Sequence, residues 1–227
     1  MFVESVLFIA FPYVAVTLAI AVTLFRYFTD RFSYSTQSSQ FLEGRALFWG
    51  SVPWHYGILI ILLAHVVAFL FQDAWAALVA DQTTLYSLEL IGLSLAIAAM
   101  LGLSVLLIRR LRSSRVLVVT STMDWILLVA LLAQVALGIW SALFFRWGSD
   151  WFLFTAAPWL ESLITFQPDT SFVVSLPWVV KLHMLGGFAI VAIFPFTRLV
   201  HVITVPITYL WRPYQVVIWN RRQNRAS

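Results

Sequence analysis

The chain has 227 residues, of which 62% are hydrophobic and only 11% charged, with a formal net charge of +4. Water-soluble domains carry roughly half apolar and about a quarter charged residues, so this composition excludes an ordinary soluble fold and places the chain in a membrane. With no cysteine there can be no disulfide, thiolate chemistry or iron–sulfur cluster on this chain, and the basic residues cluster at the ends of apolar runs, where membrane topology explains them without nucleic acid.

The first predicted span runs from Val3 to Phe25. It opens on Met1, Phe2 and the acidic Glu4, not on a basic run, so it reads as a permanent helix and not as a cleaved signal peptide. A polar connection, Arg26 to Arg45, leads to the second span, Pro53 to Phe71, which contains His55 and His65. A short acidic connection with Asp73 and Asp81 precedes the third span, Tyr86 to Ile108. A basic turn with Arg109, Arg110, Arg112 and Arg115 follows, then the fourth span, Asp124 to Phe145. The longest connection, Arg146 to Pro177, is broken by Pro158, Pro168 and Pro177. Its Trp147, Trp151 and Trp159, mixed with Asp150 and Glu161, read as a segment lying on the membrane surface. The fifth span, Trp178 to Tyr209, carries His183 and His201, and a basic tail from Arg212 to Ser227 closes the chain. The expected fold is a single all-α integral membrane domain of five transmembrane helices.

Five spans place the termini on opposite sides. One side collects Arg26, Arg31, Arg45, the cluster from Arg109 to Arg115, Arg198 and the tail, whereas the other holds only Arg146 and Lys181. By the positive-inside rule the N-terminus is outside and the C-terminus cytoplasmic.

All four histidines lie in two spans. An ionisable side chain in hydrocarbon is costly and by default marks a functional site. As one continuous helix, the fifth span would put His183 and His201 on the same face, about 27 Å apart, while His55 and His65 would be about 15 Å apart on neighbouring flanks. A kink at Pro195 is expected to absorb the mismatch. The second and fifth spans run antiparallel, so His55 shares its depth with His201, near the cytoplasm, and His65 shares its depth with His183, near the outer face. Two imidazoles without a nearby carboxylate or thiolate make a poor zinc or copper site. They match the two axial positions of a haem, and bis-histidine ligation leaves no open iron site, which suits one-electron transfer. The C-x-x-C-H attachment motif is impossible here, so two non-covalent b-type haems are expected. A packing role or a proton relay explains one such histidine more readily than four at matched depths.

Arg198, three residues before His201, shares its helix face and is a candidate partner for a haem propionate. Arg110, in the basic turn, is a second candidate, and both also suit snorkelling to headgroups. Gly57, Gly92, Gly102, Gly138, Gly186 and Gly187 offer either room for a porphyrin face or plain helix packing.

The stretches Arg26-Tyr-Phe, Ser38-Ser39-Gln40-Phe41 and Trp54-His55-Tyr56-Gly57-Ile58-Leu59 with Ala64-His65 resemble the gamma subunit of respiratory nitrate reductase, a membrane cytochrome b. So do His183-Met-Leu-Gly-Gly, Phe194-Pro-Phe-Thr-Arg-Leu-Val-His201 and Val205-Pro-Ile-Thr-Tyr-Leu, and the likeness covers nearly the whole chain. The resemblance implies a five-helix, two-haem subunit of the prokaryotic cytoplasmic membrane that oxidises membrane quinol. His55 and His201 would ligate the proximal haem, and His65 and His183 the distal one. Electrons would pass to an iron–sulfur beta subunit and a molybdenum-containing alpha subunit on the cytoplasmic side. The family carries a lysine at the start of the third helix, associated with quinol. This chain has neither Lys nor Arg between Arg45 and Arg109, and Thr83 to Tyr86 offer hydroxyls instead. The same four histidines would also serve a dihaem quinone-reactive subunit of a nitrite-oxidising or sulfur-metabolism complex. A membrane anchor without haem, or a transporter with a histidine relay, is the rival of a different class.

Overall fold

The computed structural model describes residues 2–30, 42, 44–145 and 151–204. Among them all regular structure is helical, and five helices are long and apolar enough to cross a bilayer: Phe2–Thr29, Arg45–Leu70, Gln82–Arg112, Thr122–Phe144 and Trp178–Phe196. The chain is a multi-pass membrane protein. At 1.5 Å per residue even the shortest of these nearly spans a hydrocarbon core of about 30 Å. Their outward faces, with residues such as Ile20, Leu59, Leu63, Leu90, Leu101 and Val129, are exposed apolar surface suited to lipid.

The first three spans are longer than the sequence pattern alone suggests. The second helix begins at Arg45, so Pro53 is interior to it and does not open it. The third begins at Gln82, where the Asp81 side chain accepts from the Thr84 backbone N–H at 2.8 Å and caps the helix. The fourth starts with a reciprocal box: Ser121 Oγ accepts from the Asp124 N–H, and the Asp124 carboxylate accepts from the Ser121 N–H. Short helices fill the connections at Gln72–Val79 and Ser114–Val118.

Two expectations are corrected. The fifth span is not one helix from Trp178 to Tyr209: its α-helix ends at Ile193, and two 3₁₀ turns follow, Phe194–Phe196 and Arg198–Val200, before a short helix at His201–Thr204. Pro195 has no N–H to give the ladder and its ring crowds the preceding turn. Thr197 is extended (φ −116°, ψ 175°) and its hydroxyl accepts from the Leu199 N–H, starting the next turn. The Pro195 carbonyl accepts from Arg26 at the end of the first span. Val205 to Tyr209 lie outside the described residues, as do Arg31, the Ser38 to Phe41 motif, Arg146, Trp147, Asp150 and the basic tail.

The second correction concerns Trp159. It is not a surface anchor but is 1% exposed, held between Phe8 and Phe188 in edge-on contacts, with its indole N–H donating to the Phe8 carbonyl at 3.1 Å. The connection carrying it folds as helices Trp151–Phe154, Ala156–Ile164 and Ser171–Val174. Together they seal one end of the first and fifth spans with Leu163, Val173 and Val180. Lys181 is buried at that end, paired with Glu4 at 3.4 Å and donating to the Val174 carbonyl at 2.7 Å. Its charge is thereby locally neutralised. Arg26, Arg45, Arg109, Arg110, Arg112, Arg115 and Arg198 all belong to the opposite end of the bundle, given the chain direction of each span.

The most extensive helix contact joins the second and third spans. It is made by glycines: a Cβ on Gly102 would lie 2.6 Å from the Gly50 carbonyl oxygen, and one on Gly57 would lie 2.7 Å from the Leu95 carbonyl oxygen. Backbones therefore meet directly, as small residues permit in membranes, and Trp54, Ala99 and Leu103 pack beside them against Leu128 and Val135 of the fourth span. The fourth span packs on the fifth and the fifth on the first, but among the described residues the second and fifth make no comparably extensive contact. The bundle is an arc with a gap between the two histidine-bearing helices.

Gly102→Ala should lower the thermal unfolding temperature of the purified protein, the crowding costing about 1–3 kcal/mol. Gly92→Ala, with nothing within 4 Å of its Cβ, should leave it level or slightly raised. Equal effects at the two positions would mean that the backbone contact does not hold the pair together.

Candidate histidine sites

The second span presents Trp54 to the third and fourth spans, which turns the next residue, His55, about 100° away toward the gap. Across it, the break at Pro195 re-aims His201, and the two rings come to 6.2 Å between centres with planes 69° apart. The mismatch of a 27 Å rise against a 15 Å one thus disappears, because the fifth span is not a continuous helix between its two histidines. At the other end, His65 and His183 are within electrostatic reach of each other, and the Phe152 ring lies edge-on to His65 at 5.6 Å.

Every one of the four rings uses Nδ1 in the same way. His55 Nδ1 donates to the Ser51 carbonyl at 2.7 Å, with the Ser51 hydroxyl 3.0 Å away. His65 Nδ1 donates to the Ile61 carbonyl at 2.8 Å, and His201 Nδ1 to the Arg198 carbonyl at 2.6 Å. His183 Nδ1 donates to the Gln134 carbonyl of the fourth span at 3.0 Å. A bond from Nδ1–H fixes the neutral tautomer whose lone pair is on Nε2 and makes that nitrogen a better ligand. The candidate site is four imidazoles of apolar spans, each with Nε2 left unprotonated by the bond at Nδ1.

The spacing can be tested against a metal between two rings. A ligating nitrogen sits about 2 Å from its metal and about 1 Å from its own ring centre, so rings ligating from opposite faces have centres about 6 Å apart. The His55–His201 separation matches this. Among the described residues no three His, Asp or Glu side chains gather into a metal-holding group. The residues present therefore suit a metal that brings its own in-plane ligands and needs one imidazole on each face, as a haem does.

Arg198 and Arg110, both candidates for a propionate, converge on Asp124. Arg198 grips the carboxylate with two bonds, Nε to Oδ1 at 2.5 Å and a terminal N–H to Oδ2 at 3.0 Å, and donates to the Val119 carbonyl at 3.2 Å. Arg110 lies 3.6 Å from Asp124 and donates to the Thr120 hydroxyl at 3.0 Å. Asp124 is 3% exposed at its side chain. The network ties the turn that carries His201 to the start of the fourth span, and sequence reading missed Asp124 because its partner is 74 residues away. It also missed Gln134, whose amide N–H donates to the His183 carbonyl at 2.9 Å. Its signal was a lone amide in the middle of an apolar span.

The glycines divide by role. Gly138 leaves space for the His183 ring, since a Cβ there would lie 3.0 Å from His183 Cε1, and Gly186 leaves space for the Gln134 amide. Gly57 and Gly102 serve helix packing, and Gly92 meets nothing. At the start of the third span, Gln82, Thr83, Tyr86, Ser87 and Leu90 line an open cavity of about 430 Å³, with Gln82 donating to the Tyr86 hydroxyl at 2.7 Å.

The family model for the nitrate reductase gamma subunit matches residues 4–220. The chain is 34% identical over 215 residues to the nitrate reductase gamma chain of Bacillus subtilis (strain 168), covering 93% of this chain and 95% of that protein. It is 32% identical over 214 residues to the respiratory nitrate reductase 2 gamma chain of Escherichia coli (strain K12), covering 91% and 93%. A nitrate reductase-like protein NarX of Mycobacterium tuberculosis (strain ATCC 25618 / H37Rv) is 30% identical over 220 residues, and there the match takes up only 33% of the longer protein.

Asp124→Ala removes the acceptor from two arginines. It should destabilise the folded chain by about 2–3 kcal/mol, the low end for breaking a buried pair because Arg198 is a third exposed. The check is a lowered thermal midpoint in detergent, and a midpoint equal to that of the unaltered chain would show the network to be idle.

Proposed function

The chain belongs to the nitrate reductase gamma subunit family and is a subunit of a nitrate reductase complex; from that premise we propose that it is the dihaem, quinol-oxidising membrane cytochrome b of the complex. The observation that carries this reading is the common Nδ1-to-carbonyl bonding of four histidines, which turns four Nε2 atoms into ligands at two levels of one gap.

His55 and His201 would hold one b-type haem from opposite faces, at the end of the bundle where the arginines collect, and His65 with His183 would hold the second at the opposite end. When bound, the two haems supply one-electron carriage from quinol at one end of the bundle to an iron–sulfur partner at the other. Ser51 and the Ile61, Gln134 and Arg198 carbonyls orient the four rings. The concentration of Arg26, Arg45, Arg109, Arg110, Arg112 and Arg115 at one end puts that end in the cytoplasm by the positive-inside rule, with the N-terminus outside a prokaryotic inner membrane. An iron–sulfur beta subunit and a molybdenum-containing alpha subunit dock on that cytoplasmic end and reduce nitrate there. The absence of cysteine accords with clusters residing on another chain. Quinol is taken up at the outer end, where the hydroxyls of Thr83, Tyr86 and Ser87 and the amide of Gln82 line an open cavity and offer hydrogen bonds to its ring oxygens.

Purified complex should show reduced b-type absorption bands with two haems per chain of this subunit. His65→Ala or His183→Ala should remove one haem and stop quinol-driven nitrate reduction, while an artificial donor to the cytoplasmic subunits still works. A featureless visible spectrum overturns the reading, and loss of the His55–His201 haem in either variant shows the pairing to be inverted.

A further inference from the structure

Three of the four imidazoles are oriented by carbonyls of their own segment, three or four residues back in sequence. His183 is different. Its Nδ1–H reaches the main-chain carbonyl of Gln134 on the fourth span at 3.0 Å, and the Gln134 side-chain N–H returns a bond to the His183 main-chain carbonyl at 2.9 Å. The two residues close a ring of reciprocal bonds between two helices. Both helices are cut away to admit it: a Cβ on Gly186 would lie 2.2 Å from Gln134 Oε1, and one on Gly138 would lie 3.0 Å from the His183 ring. Gln134 Oε1 is buried and has no hydrogen-bond partner, so the amide is held in an apolar seam at the cost of an unsatisfied acceptor. An amide that served packing alone would be replaced by leucine or methionine without that cost.

We infer that Gln134 is a positioning residue for the distal iron ligand, locking the register of the fifth span against the fourth so that His183 presents Nε2 at a fixed angle and with a fixed hydrogen bond to Nδ1. The inference rests on the two-haem reading. Loss of the amide bond frees the His183 carbonyl, lets the two backbones slip, and lengthens the Nδ1–H bond. A weaker bond there makes the imidazole less electron-rich, so the oxidised iron is held less well and the midpoint potential rises.

Two variants of the intact complex test this. Gln134→Met keeps length and apolar bulk but cannot donate, and Gly186→Ala leaves Gln134 and His183 in place while driving the amide out of its slot. Gly92→Ala is the control. In both test variants, haem content should stay at two per chain. The low-spin electron paramagnetic resonance signal and the midpoint of one haem, the one that His65→Ala deletes, should shift, the midpoint upward. The other haem should match the control. Selective loss of that same haem supports the inference equally. Unchanged signals and midpoints in both variants, equal shifts of both haems, or loss of both haems together would each overturn it. Absence of haem bands from the unaltered complex would sink the two-haem reading itself, which separates the two failures.

Discussion

An imidazole N–H inside hydrocarbon has no water to bond, so it must find a carbonyl within the protein. That single requirement shapes both histidine sites. A helix already pairs its interior carbonyls, but each oxygen has a second lone pair, and His55, His65 and His201 take one from the preceding turn of their own segment. Once Nδ1–H is committed, the remaining nitrogen is unprotonated and can accept a metal or a proton donor. Satisfying the donor and preparing the ligand are therefore the same event, and no further residue is needed to select the tautomer.

Where those ligands point is decided by two features of opposite kind. Glycine brings the second and third spans into backbone contact through Gly50, Gly57 and Gly102, and this rotates His55 out of that contact and toward the fifth span. Proline breaks the fifth span after Ile193, and Thr197 restarts the chain on a new axis. A continuous helix would have carried His201 too far along the bundle to meet His55. With the break, the two rings stand 6.2 Å apart, at the separation that a shared metal requires.

Much of this could be read from the chain alone. Four histidines confined to two apolar runs, twelve arginines toward one set of helix ends and the absence of cysteine point to the membrane class and to a pairing of histidines by depth without any tertiary knowledge. Pro195 announced a bend, but a proline marks only where a ladder fails; the extended Thr197 and the bond from Arg26 to the freed Pro195 carbonyl decide how far the chain turns. Trp159 was misread because tryptophan near a span end usually rests at the interface. Here Phe8, 151 residues earlier, supplies both an edge-on ring contact and a carbonyl. The partners of Asp124 and Gln134 were illegible for the same reason: they are 74 and 49 residues away, and no local pattern encodes a bond across that distance, although a lone amide in an apolar span marked Gln134 itself.

The two ends of the gap differ in electrostatics, and on the proposed reading this difference has a direction. At the His55–His201 end, two guanidinium groups share one carboxylate, leaving a net positive charge beside the pair, held in place by charge-assisted bonds. At the other end, with His65 and His183, Glu4 neutralises Lys181, and the other described charges of the connections there, Asp73, Asp81, Glu161 and Asp169, are acidic. A net positive charge close to a redox centre in a low dielectric favours the state with the extra electron. The arginine end is then the lower-energy resting place for an electron that enters at the other, so the same residues that assign that end to the cytoplasm also bias transfer toward it. Topology and redox bias come from one set of side chains, which is why neither Arg198 nor Arg110 needs to touch a haem to matter to its chemistry.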